Sequence, residues 1–139
     1  MNHEKYHLLV DEARTLQPVV TAVAHPCDES SLAAAIDAAK LGLIVPILIG
    51  PRAKIDAAAK AGGIDLAGFE IVDVPHSHAA AERAVEWVRS GRAEALMKGS
   101  LHTDELMAAI VPAATGLRTA RRISHVFVLD VPTYPRLLM

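Results

Sequence analysis

Apolar and polar positions follow two rhythms along this chain. Tyr6, Leu9, Ala13 and Leu16 recur at helical spacing and predict a helix over residues 3–16. An apolar run at 18–24 predicts a short strand, closed by His25-Pro26. Leu32, Ala35, Ile36 and Ala39 share one face of a second helix, with Asp28 or Ser30 as its cap. Residues 43–49 predict a second strand. Pro46 inside it cannot donate to a ladder, which implies an edge strand or one that begins late. Gly50-Pro51 ends that strand, Pro51 suits the first turn of a helix reaching Ala61, and Gly62-Gly63 stops the helix. Residues 69–74 predict a third strand, ended by Pro75. A helix through Ala81, Ala84, Val85 and Val88 follows, with Gly91 as its stop. A fourth strand is predicted at 93–97. A short helix at 103–111 should be capped by Thr103 and turn Leu106, Met107 and Ile110 inward. Residues 124–131 predict a fifth, strongly apolar strand.

Strands that alternate with helices imply an α/β fold, mostly a parallel sheet of about five strands with helices on both faces and right-handed crossovers. The 139 residues suffice for a single α/β domain. Hydrophobic residues make up 52% but aromatics only 4%, so the core must be built from small and β-branched side chains. Fourteen Lys+Arg against sixteen Asp+Glu give a net charge near −2, which provides no electrostatic attraction for nucleic acid. The one basic cluster, Arg118, Arg121 and Arg122, reads as a solvated face. A lone cysteine, Cys27, forms no intrachain disulfide and points to a reducing compartment. The first residues lack the basic-then-apolar pattern of a secretory signal. No apolar run approaches the roughly 20 residues of a membrane span. The expectation is a cytoplasmic protein that contacts no membrane.

In an open parallel sheet, ligands collect at the carboxyl ends of strands. Four segments fall there: 25–30, 50–52, 75–78 and 98–103. The last carries the most chemistry. Gly99 lets a backbone approach a ligand closely, Lys98 supplies positive charge, and free amides at the start of the next helix attract phosphate. Asp104 and Glu105 in the first helical turn already complement the dipole and weaken an anion site. The order Lys98-Gly99-Ser100 is not that of a nucleotide-binding P-loop. Residues 98–103 therefore read either as an anion-binding loop or as an ordinary turn with a solubilising lysine. His76 and His78 read better as helix-start residues than as metal ligands, because no partner stands at matching spacing. Cys27, beside Asp28 and Glu29, reads as a passive thiol, His125 as a structural histidine and Trp87 as core. Asp130 reads as a satisfied strand-end group, with a role in a cleft left open.

Four pieces of the sequence resemble the amino-terminal half of the phosphate acetyl/butyryl transferase family: "VPILIG", "ALMKGSLHT", Thr115-Gly116, and "SHVFVLDVPTY". The second and fourth, at this separation, carry most of the resemblance. It implies a three-layer domain of the isocitrate/isopropylmalate dehydrogenase-like kind, incomplete here. The chain would then be the amino-terminal part of a longer two-domain enzyme that dimerises. The implied activity moves an acetyl or butyryl group between coenzyme A and inorganic phosphate. Coenzyme A is a substrate there, and no metal or tightly bound cofactor is needed. Carried over by motif, Lys98, Gly99, Ser100, His102 and Thr103 form a cleft-facing loop near the phosphate, and Ser124 and His125 begin the strand crossing toward the second domain. The resemblance places no catalytic residue in this segment, so the chain alone should be inactive, and its uncovered apolar surface should promote association. Two other readings stand beside this one: a non-catalytic α/β small-molecule-binding or interaction module, and an unrelated Rossmann-like nucleotide binder, against which the missing Gly-x-Gly-x-x-Gly argues.

Overall fold

The computed structural model describes residues 3–139. Four strands, β1 (Val19–Ala24), β2 (Ile44–Gly50), β3 (Glu70–Asp73) and β4 (Ala95–Lys98), form one parallel sheet in the order β3-β2-β1-β4. Five helices accompany them: α1 (Glu4–Ala13), α2 (Glu29–Lys40), α3 (Arg52–Gly62), α4 (Ser77–Arg89) and α5 (Thr103–Ile110). The chain steps outward from β1 to β3, then jumps back across the sheet to place β4 on the other side of β1.

Strand pleating explains the layers. Ala22 and Ala24 of β1 and Ile47 and Ile49 of β2 face Ala80, Ala81 and Ala84 of α4 and Leu106 of α5. Val23 and Leu48 face the opposite way, against Leu32, Ala35 and Ile36 of α2 and Ile55, Ala58 and Ala59 of α3. Both faces of β1 and β2 are thus covered, which is why their sequences read as unbroken apolar runs. The alanines matter because they let the helices lie close to the sheet. Reversing the direction of travel at the same time as the helix face keeps one handedness of crossover.

Local signals set the element ends. Asp28 adopts an extended backbone and accepts a hydrogen bond from the Ser31 amide, capping α2. Gly63 closes α3 in the left-handed conformation (φ 62°). Pro46 is buried in β2 and lies opposite Thr21 of β1. β2 is therefore an interior strand and not an edge. Its pairing with β3 begins only at Ile47, so the missing donor falls where β3 has not yet arrived.

Two expectations are corrected. The sheet has four strands, because residues 124–131 do not join it. Apart from a single antiparallel bridge, Leu129 to Leu138, this stretch has no strand partner among the described residues. Thr103 is also not a cap. It is the first helical residue of α5, His102 holds the extended cap position, and no side chain caps the helix.

Outside the layers, α1 buries none of its residues. It clasps the carboxyl-terminal stretch instead. The Lys5 ammonium donates to the carbonyls of Val131 (2.6 Å) and Tyr134 (2.7 Å) and pairs with Asp130 at 2.8 Å. That pair, led by the Lys5 hydrogen bond, holds the Asp130 carboxyl below its ordinary range. No helix among the described residues is long and apolar enough to cross a membrane.

Candidate functional site

The reversal of strand order lies between β1 and β4, and their carboxyl ends open into two loops, at 25–28 and 98–103. Such a switch point leaves a crevice because the two connections leave in opposite directions. Lys98 is the last residue of β4, in register with Ala24, and its side chain is exposed. Gly99 then donates its amide to the Ala24 carbonyl at 2.8 Å. A Cβ at Gly99 would stand 2.4 Å from the carbonyl oxygens of both Ala24 and His25, so only glycine lets the backbones approach this closely.

Ser100 completes the junction. Its amide and its hydroxyl both donate to the His25 carbonyl, at 2.7 and 2.9 Å. Its Oγ accepts from the Cys27 amide at 3.1 Å and lies 3.2 Å from Nδ1 of His25. The His25 amide in turn donates to Ile49 of β2 at 2.7 Å. His25 is 92% buried and holds a left-handed backbone (φ 57°), the one described non-glycine residue with positive φ. Its Nε2 is enclosed and has no hydrogen-bond partner among the described residues. Strained backbone and unsatisfied buried polar atoms are both uncommon, and both concentrate at functional sites. One local signal points to His25, a histidine at the end of an apolar strand. Its conformation and its contact with Ser100 arise only when β4 lands beside β1.

Beyond Ser100, Leu101 is buried and anchors the loop, while His102 and Thr103 are exposed at the start of α5. Glu105, whose charge weakens an anion site at this helix start, is engaged elsewhere. It accepts from Ser77 Oγ and pairs with His78 at 2.8 Å, which ties α5 to the start of α4. The Ser77 hydrogen bond chiefly, with help from His78 and His102, holds its carboxyl below the ordinary range. His76 caps α4 by accepting from the Ala79 amide at 3.1 Å. Among the described residues, no group of three or more His, Cys, Asp or Glu could hold a metal ion. Burial pushes the Cys27 thiol up to about 11, only partly offset by Lys54, which makes it a poor nucleophile.

The structure thus brings Gly99 and Ser100 onto His25 and places Lys98, His102 and Thr103 around them. It does not bring Ser124 or His125 there. Both are exposed, and His125 stacks at a tilt on Phe127, with ring centroids 4.2 Å apart. Among the described residues, no hydrogen bond joins either of them to the 98–103 loop. Gly116, by contrast, has a clear structural reason. A Cβ there would stand 2.2 Å from the Ile110 carbonyl, and the Gly116 carbonyl receives Arg89 from α4 at 3.0 Å.

The three-layer α/β fold sets this polar loop pair at its switch point, the carboxyl edge where open parallel sheets hold their ligands. No family model matches the chain. Individual relatives do. A phosphate acetyltransferase of Rhizobium meliloti is 63% identical over 128 residues, covering 92% of this chain and 40% of the relative. One from Rickettsia felis is 49% identical, covering 92% and 37%. A phosphate butyryltransferase of Clostridium acetobutylicum is 37% identical over 127 residues, covering 91% and 42%. The chain is similar to phosphate acetyl- and butyryltransferases over nearly its whole length and matches an amino-terminal portion of them. It spans about two fifths of the length of these curated relatives.

Proposed function

We propose that this chain forms the phosphate-side part of the active-site cleft of a phosphate acyltransferase that moves an acetyl or butyryl group between coenzyme A and phosphate. The observation that carries this reading is the junction of the 98–103 loop with His25 at the switch point, in a chain whose relatives bear those names. Lys98 supplies charge, Gly99 the close backbone approach, and the α5 start with His102 and Thr103 the free amides. Ser124 and His125 belong to this reading as cleft residues reached from the exposed stretch. The protein works in the cytoplasm as a homodimer in its full-length form, on acyl-CoA and inorganic phosphate, without nucleic acid, membrane or tightly bound cofactor.

The chemistry also needs a base for the thiol and a stabiliser for a charged tetrahedral intermediate. The loop supplies the second kind of help and Cys27 supplies neither, so the 139-residue chain alone is inactive in this reading. Purified chain given acetyl phosphate and coenzyme A should form no acetyl-CoA, and turnover of about 1 per second or more would overturn that expectation. The cleft reading has its own measurement. Inorganic phosphate should bind the chain, and Lys98→Ala should weaken that binding by about 1.5–3 kcal/mol, the usual loss of a charge-assisted contact. Unchanged phosphate affinity would return the loop to an ordinary turn.

A further inference from the structure

Three arginines that the phosphate-cleft reading leaves unused share one concavity. Arg118, Arg121 and Arg122 line it together with Val111, Thr119 and Ile123, and its volume is about 470 Å³. Thr119 Oγ1 accepts from the Arg121 amide at 3.1 Å, a side-chain turn within the segment. Among the described residues, none of the three guanidinium groups has a hydrogen bond or an ion pair. The neighbouring sequence supplies no counter-charge either, because residues 106–129 hold no aspartate or glutamate. Three positive charges within five positions therefore repel one another unrelieved, in a chain whose net charge is near −2. An anion that carries several charges removes that repulsion. Guanidinium suits phosphate in particular, since its planar fork makes two parallel N–H···O bonds to it. The volume suits a small ligand.

Position narrows the ligand. Val111, one of the lining residues, ends α5, and α5 begins at Thr103 of the 98–103 loop. One wall of the concavity therefore stands eight helical residues, or about 12 Å, from that loop. A ligand that reaches both places needs a polyanionic end and a long neutral arm. Coenzyme A is built that way. Its nucleotide end carries a 3′-phosphate and a diphosphate, and its thiol lies at the far end of a pantetheine arm longer than α5. We propose that Arg118, Arg121 and Arg122 form a site for the phosphates at the nucleotide end of coenzyme A, from which the arm spans to the 98–103 loop. The inference rests on the acyltransferase reading and adds to it three residues and a second place of contact. The net negative charge of the chain favours such a small polyanion over nucleic acid, which a wider positive field would attract.

The test uses the 139-residue chain and four probes at low ionic strength: coenzyme A, dephospho-coenzyme A, pantetheine and inorganic phosphate. Dephospho-coenzyme A lacks only the 3′-phosphate, and pantetheine lacks the whole nucleotide end. Coenzyme A should bind more tightly than dephospho-coenzyme A by roughly 10- to 100-fold, the loss of one charge-assisted contact, and pantetheine should bind weakest. Arg121→Gln and Arg122→Gln should each weaken coenzyme A by a similar factor, roughly 10- to 100-fold, and leave the affinity for inorganic phosphate in place. Both side chains are exposed and unpartnered, so the variants should unfold at the wild-type temperature when no ligand is present. Equal affinity for coenzyme A and dephospho-coenzyme A, or full coenzyme A affinity in the double variant, would overturn the inference. Equal losses of coenzyme A and inorganic phosphate would assign the arginines to the phosphate loop and overturn it too. So would a single-stranded oligonucleotide that displaces coenzyme A at a lower phosphate concentration, since the surface would then serve nucleic acid. The two readings separate cleanly. Discrimination by the 3′-phosphate without binding of inorganic phosphate would keep the arginine site and remove the loop reading, whereas phosphate binding without that discrimination would do the reverse.

Discussion

Two apolar runs in this chain, 19–24 and 124–131, look alike on paper and end in opposite states. Both are rich in valine and both are long enough for a strand. In β1, Ala22, Val23 and Ala24 are wholly buried, covered by helices on both faces and paired on both sides. In the second run, Phe127 is 65% exposed and Val126 63% exposed, with no place in the sheet. An apolar run states what a segment gains from burial, whereas a partner strand on each side decides whether it is buried. β1 has both neighbours because two crossovers bring β2 and β4 to it.

The largest test of this contrast substitutes one leucine in each setting. Leu48→Ala in β2 empties a fully enclosed site and should cost about 2–5 kcal/mol in urea unfolding. Leu129→Ala in the exposed run should change stability by less than about 0.5 kcal/mol. Comparable losses at both positions would mean that the second run is buried in solution, and the contrast would vanish.

Gly99→Ala sharpens the comparison within the well-packed region. The added methyl meets two backbone carbonyls that cannot turn aside, so a cost of about 1–3 kcal/mol is expected. The loss should appear in the unfolding midpoint and also as displaced His25 and Ser100 resonances. A variant as stable as the wild type would show that β1 and β4 separate more easily than their hydrogen bonds imply.

Lys5→Ala addresses the other region. It removes the contacts to Asp130, Val131 and Tyr134 that hold α1 to the carboxyl-terminal stretch. Limited proteolysis after residue 117 should accelerate, while the main unfolding transition stays within a degree or two, because the layered core does not include these residues. A large drop in that transition would show that the clasp belongs to the core.

The smallest effect is electrostatic. The Cys27 thiol is raised from its ordinary value of 9.0 to about 11, chiefly by burial. A raised value in the folded state favours the protonated form. Its contribution is complete below pH 9, is lost as pH rises toward 11, and is absent in Cys27→Ala. Thiol-directed alkylation of the folded chain should therefore be slow near neutrality and should speed up on unfolding. Fast labelling of the native chain would place the thiol in a more open setting than its burial indicates.

Much of this was legible beforehand. Helical spacing located α2 to α5, glycines and prolines marked their ends, and residues 98–103 stood out through Lys98, Gly99 and Ser100. Those signals are local, set by backbone preference and by side-chain periods of 3.6 and 2. The candidate site was legible by half, since one of its two loops announced itself and the other, around His25, did not. Nothing within a few residues of His25 shows that Ser100 will lie against it, because their contact spans 75 positions.

The sequence by itself determined that strands and helices alternate, which positions are apolar on both faces of β1 and β2, and that a glycine-bearing polar loop follows β4. Only the tertiary structure decided that β4 returns beside β1, that Pro46 sits harmlessly in an interior strand, that His25 is twisted and enclosed, and that residues 124–131 stay outside the sheet. The physical reason is the same in each case. Local preferences fix what a segment could be, and the neighbour that fills its hydrogen bonds and covers its surface arrives from far along the chain.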